Sequence, residues 1–231
     1  DAPTISSTAI TSATEDAAYS YTTTASDVDS GDVVTLACTT VPSWLTCTAG
    51  ALSGTPTNDE VGSHSVVITA SDVAGATATD SFTIAVANTN DAPTISSTAV
   101  TAASEDAAYS YSITTSDDDS DSSDSWTITS TSVSWLTLTH TAGASTATLA
   151  GTPVDGDVGD HSVTITVADA AGATGTQAFT IAVANTNDAP SITSTAVTAV
   201  DEDAAYSYSI TTSDDDSDSS DTWTISSTSV S

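Results

Sequence analysis

The sequence predicts an all-β chain built of tandem sandwiches, and three observations carry that prediction. Apolar and polar residues alternate, long strings return almost letter for letter about ninety residues apart, and Gly, Pro, Asn and Asp punctuate the apolar runs. Alternation comes first. Val163, Ile165 and Val167 in "HSVTITVAD" fall on one face with Ser162, Thr164 and Thr166 on the other, and Phe179, Ile181 and Val183 in "FTIAV" repeat the pattern. Period two marks half-buried strands, because successive side chains point to opposite faces of a sheet. The runs are rich in Val, Ile, Thr and Tyr and are broken by turn residues every eight to twelve positions or so, the spacing of a sandwich of about seven strands. Serine and threonine make up 86 of the 231 residues, a composition that would also suit a disordered or mucin-like stalk. The alternation and the tryptophans argue for a folded chain instead.

The repeats set the domain organisation. With Asp1, Asp91 and Asp188 in register, the chain divides into 1–90, 91–187 and 188–231. "DAPTISSTA" returns once unchanged and once as "DAPSITSTA"; "EDAAYSY" occupies 15–21, 105–111 and 202–208; "SWLT" occupies 43–46 and 134–137. "SGTP" at 53–56 matches "AGTP" at 150–153, and "FTIAVANTN" occupies 82–90 and 179–187. Each full repeat has the size of an ordinary domain. The third stops at "SSTSVS", before the counterparts of "SWLT", "HSVTITVAD" and "FTIAV". Its opening strands alone would leave an apolar face open around 206–225. The expectation is therefore that strands from elsewhere, such as a neighbouring copy in a filament, cover it.

Composition excludes several classes of function. The chain carries 31 acidic residues, no lysine, no arginine and three histidines, for a formal charge of −31. Nucleic-acid binding rests on Lys and Arg displacing counterions, so this chain cannot grip a phosphate backbone. An anionic lipid surface would repel it. No run approaches 18 apolar residues and no leader precedes a cleavage site, which reads as a piece of a longer chain whose targeting signals lie elsewhere.

The stretch "PSWLTCTAGALSGTPTNDEVGSHSVVITASDVAGATATDSFTIAVANTNDAP" resembles the dystroglycan-type cadherin-like domains, immunoglobulin-like repeats strung in tandem through large bacterial and archaeal surface proteins. The resemblance covers essentially the whole chain and rests on W-L-T, G-T-P and N-T-N-D-A-P in fixed order. It implies seven-stranded Greek-key sandwiches joined end to end, a location outside the cell at its surface, and calcium held where consecutive repeats meet.

Carried onto this sequence residue by residue, the cadherin pattern implies a ligand set for each junction. For the first it gives Glu15, then Asp59 and Glu60, then Asn88, Asn90 and Asp91, followed by Asp117, Asp119 and Asp169. For the second it gives Glu105, Asp155 or Asp157, Asn185, Asn187 and Asp188, then Asp214 and Asp216. Asp27, Asp29 and Asp72 are the matching positions in the first repeat, and Glu202 in the third. Calcium takes six to eight oxygens, and carboxylates with amide and backbone carbonyls suit it. Asn88 stands where the pattern has an acid, and the L-D-R-E element is reduced to "NDE" and "DGD", which implies weaker binding or fewer ions. Asp and Asn are also common turn formers, and Asp118, Asp121, Asp124, Asp215, Asp218 and Asp221 read equally as a solvated charge run. The proline ending "NTNDAP" stiffens the linker even without metal.

Cys38 and Cys47 stand where the second repeat has Thr129 and Leu138, counting from the shared "SWLT". Joint loss of both thiols is what a disulfide predicts, in an oxidising setting; free buried thiols or a metal pair are the alternatives. No serine sits in a G-x-S-x-G elbow, and no base and oxyanion donors gather around one. His64 and His161 hold equivalent positions and His140 stands alone, so all three read as structural. Paired carboxylates recur at every junction, unlike an active site. Trp44 and Trp135 read as core, against a sugar-stacking platform; Trp126 and Trp223 have no tryptophan counterpart in the first repeat, where Val34 or Leu36 takes the place, and are less clearly core.

The sequence thus points to a non-enzymatic, calcium-stiffened structural or adhesive segment of a large surface adhesin, matrix protein or filament. Its partners would be copies of itself, adjacent repeats, or surface glycans and proteins. The competing reading is a glycan-binding accessory module of a secreted polysaccharide-degrading enzyme.

Overall fold

The computed structural model describes residues 1–29, 31–119, 127–214, 216 and 224–226. Asp121, Asp124, Asp215, Asp218, Asp221, Trp126 and Trp223 lie outside the described residues. The chain forms two compact units, one of Asp1–Asp91 with Asp117–Ser122 and one of Ala92–Ser116 with Ser123–Ser231.

The first unit contains β1 (Thr4–Ile5), β2 (Ser12–Thr14), β3 (Tyr19–Thr22), β4 (Ala25–Ser26), β5 (Thr35–Thr40), β6 (Leu45–Thr48), β7 (Ala51–Gly54), β8 (Gly62–Ser71) and β9 (Thr77–Ala87). The second contains β10 (Thr94–Ile95), β11 (Ala102–Ser104), β12 (Tyr109–Ser116), β13 (Thr127–Ser130), β14 (Leu136–His140), β15 (Thr146–Gly151), β16 (Gly159–Ala168) and β17 (Thr174–Ala184). Two short strands, β18 (Ser191–Ile192) and β19 (Thr212–Ser213), follow.

Each unit is a two-sheet sandwich. In the second, one sheet runs β10-β12-β15-β14 and the other β11-β17-β16-β13. Because β10 and β11 are two halves of one opening segment that switches sheets, the unit has seven strands in Greek-key order. The first unit repeats this as β3-β7-β6 with a short β1-β4 pair, opposite β2-β9-β8-β5. One pairing matters most for the site. β2 runs parallel to β9, and β11 parallel to β17, so the chain just after the opening segment lies beside the exit from the last strand.

The alternation seen in the sequence fills the space between the sheets. Val163, Ile165, Val167, Ile181 and Val183 from one sheet meet Tyr109, Tyr111, Ile113 and Leu149 from the other, all buried. The polar partners on the same strands face outward, as a sheet wetted on one side requires. Burial pushes the phenols of Tyr19 and Tyr109 up to about 12, with a smaller push from Tyr21 and Tyr111. Each hydroxyl still donates a 2.7 Å hydrogen bond, to the Ile10 and Val100 carbonyls respectively.

The recurring strings have steric reasons. A Cβ at Gly54 would lie 2.1 Å from the Trp44 carbonyl oxygen, and one at Gly151 would lie 1.9 Å from that of Trp135, so only glycine fits opposite "SWLT". Trp44 packs edge-on against Tyr19 at 5.7 Å and His64 at 5.9 Å, and Trp135 against Tyr109 and His161 at 5.6 and 5.9 Å. His64 and His161 in turn bond the carbonyls of Glu60 and Asp157 at 2.6 Å, and His140 bonds that of Ala144 at 3.0 Å. Trp44, Trp135, His64 and His161 are thus parts of the packing.

Cys38 and Cys47 form a disulfide between β5 and β6, strands that belong to different sheets. The structure corrects their counterparts in the second repeat. Cys38 pairs with Ile68, whose equivalent Ile165 pairs with Ser130 and not with Thr129. The cause is an irregularity in β5 between Cys38 and Thr40, which gives the first repeat one more residue before "SWLT". Leu138 keeps its place, since Cys47 pairs with Leu52 and Leu138 with the equivalent Leu149.

Among the described residues of 188–231, few join strands. β18 pairs β19 as β10 pairs β12, but no ladder forms over 206–211, although its letters match those of β12. Tyr206 is 55% exposed where Tyr109 is 5%, and Ile210 38% where Ile113 is 0%.

The disulfide closes a loop with a sequence separation of 9. In the chain-entropy model such a loop contributes about 2–3 kcal/mol. Reduction should therefore lower the melting temperature of the first unit by roughly 10 °C and leave the second unchanged. Calorimetry with and without reductant checks this, and equal shifts in both units would contradict it.

Candidate metal centres

Glu15 is placed by the parallel pairing of β2 and β9: immediately after β2, its amide donates to the Ala87 carbonyl at 3.1 Å. This holds the side chain at the start of the linker, where it is 2% exposed. One carboxylate oxygen accepts a short hydrogen bond from the Thr89 amide. The other, Oε2, is buried without a hydrogen-bond partner. The second unit repeats the arrangement at Glu105: amide to the Ala184 carbonyl at 3.0 Å, a bond from the Thr186 amide at 2.9 Å, 2% exposure and a buried Oε2 without a partner.

Two aspartates complete each group. Asp119 accepts from the Asn88 side chain at 2.8 Å and from the Asp91 amide; Asp216 accepts from Asn185 at 3.0 Å and from the Asp188 amide. Asp117 and Asp214 accept from the amides of Asp119 and Asp216 at 3.3 and 3.4 Å, a local turn that aims the second aspartate inward. One carboxylate oxygen from each of Glu15, Asp91 and Asp119 lies within 4.8 Å of the other two, and the same holds for Glu105, Asp188 and Asp216. Asn90 and Asn187 donate to the carbonyls of the following aspartates at 2.7 and 2.6 Å, tightening the linkers.

A third group joins Asp27, Asp32 and Asp72 in the first unit. Asp72, 9% exposed, accepts from the Ala76 amide at 2.8 Å, as Asp169 accepts from Gly172 and Ala173 at 2.6 and 2.9 Å. Asp32 was not among the residues that the sequence singled out, because the D-x-D spacing favours Asp29. Asp29 instead lies outside the group, its amide bonded back to Asp27 at 2.9 Å.

Several sequence candidates have other partners. Glu60 accepts from the amide and hydroxyl of Thr57 at 2.9 and 2.8 Å, closing the single helical turn 58–60, and these bonds hold its carboxyl below the usual range. Asp157 does the same for Val154 at 3.1 Å. Asp59, Asp155 and Glu202 are exposed, and none of the three triads includes them.

Donor chemistry limits the ions such groups could hold. Every ligand atom in these groups is a carboxylate oxygen, which suits a hard divalent cation over zinc or copper. Two oxygens about 2.4 Å from a shared calcium are at most about 4.8 Å apart, and the oxygens of each group lie within that limit of one another. Without a cation, each carboxylate pair at this range repels by about 3 kcal/mol at an effective dielectric of 20. The Asp91 carboxyl registers this: lost hydration first, then the charges of Asp119, Asp16, Asp118 and Asp117, raise its pKa.

The class of protein is now defined: tandem all-β sandwiches with oxygen-only acidic groups at strand ends and linkers. The family model described as "Putative Ig domain" matches residues 2–87 and 92–184, and the chain belongs to that family, in two tandem copies. No curated protein matches. Among solved structures, the chain is similar to protocadherin gamma B2 extracellular cadherin domains 3–6, with 18% identity, TM-score 0.57, and coverage of 92% of this chain and 55% of that one. A protocadherin gamma B7 cis-dimer structure matches at 17% identity and TM-score 0.52, over 79% of this chain and 47% of that one. These likenesses show the fold alone. An endo-fucoidan hydrolase of glycoside hydrolase family 107 matches at 25% identity over 80% of this chain and 29% of that one, but its TM-score of 0.35 carries no weight.

In chelator, Glu15→Gln should raise the melting temperature of the first unit, because it removes a buried charge without a counter-ion. It should also reduce the stabilisation gained on adding calcium. Melting curves in both conditions check this; a lower melting temperature in chelator would contradict it.

Proposed function

We propose that this chain is a calcium-stiffened, extracellular structural or adhesive segment of a large surface protein. The observation that carries the reading is the repeated buried glutamate, Glu15 and Glu105, each with one oxygen lacking a hydrogen-bond partner and each grouped with two aspartates. A carboxylate in that position costs several kcal/mol unless a cation meets it. With no lysine or arginine in the sequence, the cation must come from solvent. Calcium bound by Glu15, Asp91 and Asp119 would lock the linker 88–91, and calcium at Glu105, Asp188 and Asp216 would lock 185–188.

The setting agrees. Calcium outside cells is abundant enough for sites of modest affinity, and the disulfide suits an oxidising compartment. Among the described residues no helix is long and apolar enough to cross a membrane. Self-association between copies is part of the proposal, by analogy with the cis-dimer named for one protocadherin structure. The glycan-binding reading loses its best residues, because Trp44 and Trp135 pack against the cores instead of forming an open platform.

Small-angle scattering of the whole chain, taken from chelator to millimolar calcium, tests the function. The expected result is a longer and stiffer particle with an unchanged strand signal in circular dichroism. An identical scattering profile in both conditions would overturn the reading.

A further inference from the structure

Open sheets end in strand edges, whose amide and carbonyl groups invite a further strand unless charge, proline, shortness or a bulge blunts them. Most edges here are blunted. β1, β4 and β10 have two residues, β2 and β11 three, and β3, β6 and β13 four, while β5 is interrupted by its irregularity between Cys38 and Thr40. β14 is the exception. It ends the sheet β10-β12-β15-β14 and pairs β15 over five residues, from Leu136↔Gly151 to His140↔Ala147, without a register shift. On its other side it has no ladder among the described residues. Its letters, "LTLTH", include no proline and no acid.

The charge distribution singles out the same place. The described strands hold only two of the 31 acidic residues, Asp80 and Asp160, and residues 125–154, which contain β14 and β15, hold none. Asp157 approaches the start of this strip, its carboxylate accepting from the Ser134 hydroxyl at 3.2 Å. Two copies of a chain with a formal charge of −31 repel one another, so close approach is least costly along an uncharged strip. A cationic partner, which the acidic loops attract, finds no carboxylate on β14 to hold.

We propose that the free edge of β14 pairs with β14 of a second copy of this chain, antiparallel about a two-fold axis through Leu138. The register is self-complementary. Thr137 and Thr139 are exposed on the outer face, and Leu136, Leu138 and His140 are half-buried on the inner one. In this register Thr137 of each copy meets Thr139 of the other, Leu138 meets its own counterpart, and Leu136 meets His140, so each face pairs with its like. A five-residue pair buries little area, so the dimer is of the transient kind. The inference rests on the self-association part of the function proposed above and names its surface, but it requires no calcium and is tested in chelator, so that it and the calcium joints fail separately.

The experiment is sedimentation equilibrium of the whole chain over a range of concentrations, with amide exchange on the same samples. In about 0.01 M salt, where charge acts over about 30 Å, monomer is expected; in about 0.15 M salt, where it acts over about 8 Å, a monomer–dimer equilibrium is expected, with exchange slowed at 136–140 as the dimer fills. Thr137→Asp combined with Thr139→Asp sets like charges opposite one another twice and should weaken the dimer at least tenfold. Thr137→Asp combined with Thr139→Lys sets opposite charges at the same two places and should restore it. Both substituted positions are exposed, so the second unit should keep its melting temperature in each variant. Monomer at every concentration, a dimer whose protection lies outside 136–140, or two variants that associate equally would each overturn the proposal.

Discussion

Charge without internal compensation is the constraint on which the rest of this molecule depends. A chain with 31 carboxylates and no lysine or arginine must keep most of them apart and in water. It does so over most of its surface, where outward strand positions are threonine and serine. Yet at three places among the described residues the fold drives carboxylates together, twice around a glutamate that is 2% exposed. Such convergence is unfavourable alone and favourable around a divalent ion.

The sheet topology causes that convergence. An opening segment that first joins one sheet and then runs parallel to the last strand of the other delivers a glutamate to the point where the chain leaves the sandwich. The same step anchors the linker amides of Thr89 and Thr186 on those glutamates. Core packing then fixes the remainder, through tryptophans wedged between a tyrosine and a histidine and glycines where no side chain fits. Identical letters at 109–113 and 206–210 form a buried strand in one place and no ladder in the other.

Much of this was legible in the sequence. The alternation of Val163, Ile165 and Val167 predicted strands and their buried face, the repeated strings predicted tandem sandwiches, and the joint absence of two cysteines from the second repeat predicted their bond. The approach of Glu15, Asp91 and Asp119 could be read only through the resemblance to cadherin repeats, since residues so distant in sequence meet through topology. Loop detail was not legible. Spacing alone could not tell that Asp32 would replace Asp29 beside Asp27, that Glu60 and Asp157 would close helical turns, or that an irregularity in β5 would make Ser130 the counterpart of Cys38. Each depends on local backbone turns that different sequences reach equally well.

The most direct measurement is anomalous diffraction from crystals of the whole chain grown in calcium, at a wavelength where calcium scatters anomalously. The account predicts peaks about 2.4 Å from Glu15 Oε2 and from Glu105 Oε2, each shared with the paired aspartates. Maps with no anomalous peak at either glutamate, and water in hydrogen-bond contact with both oxygens, would contradict it.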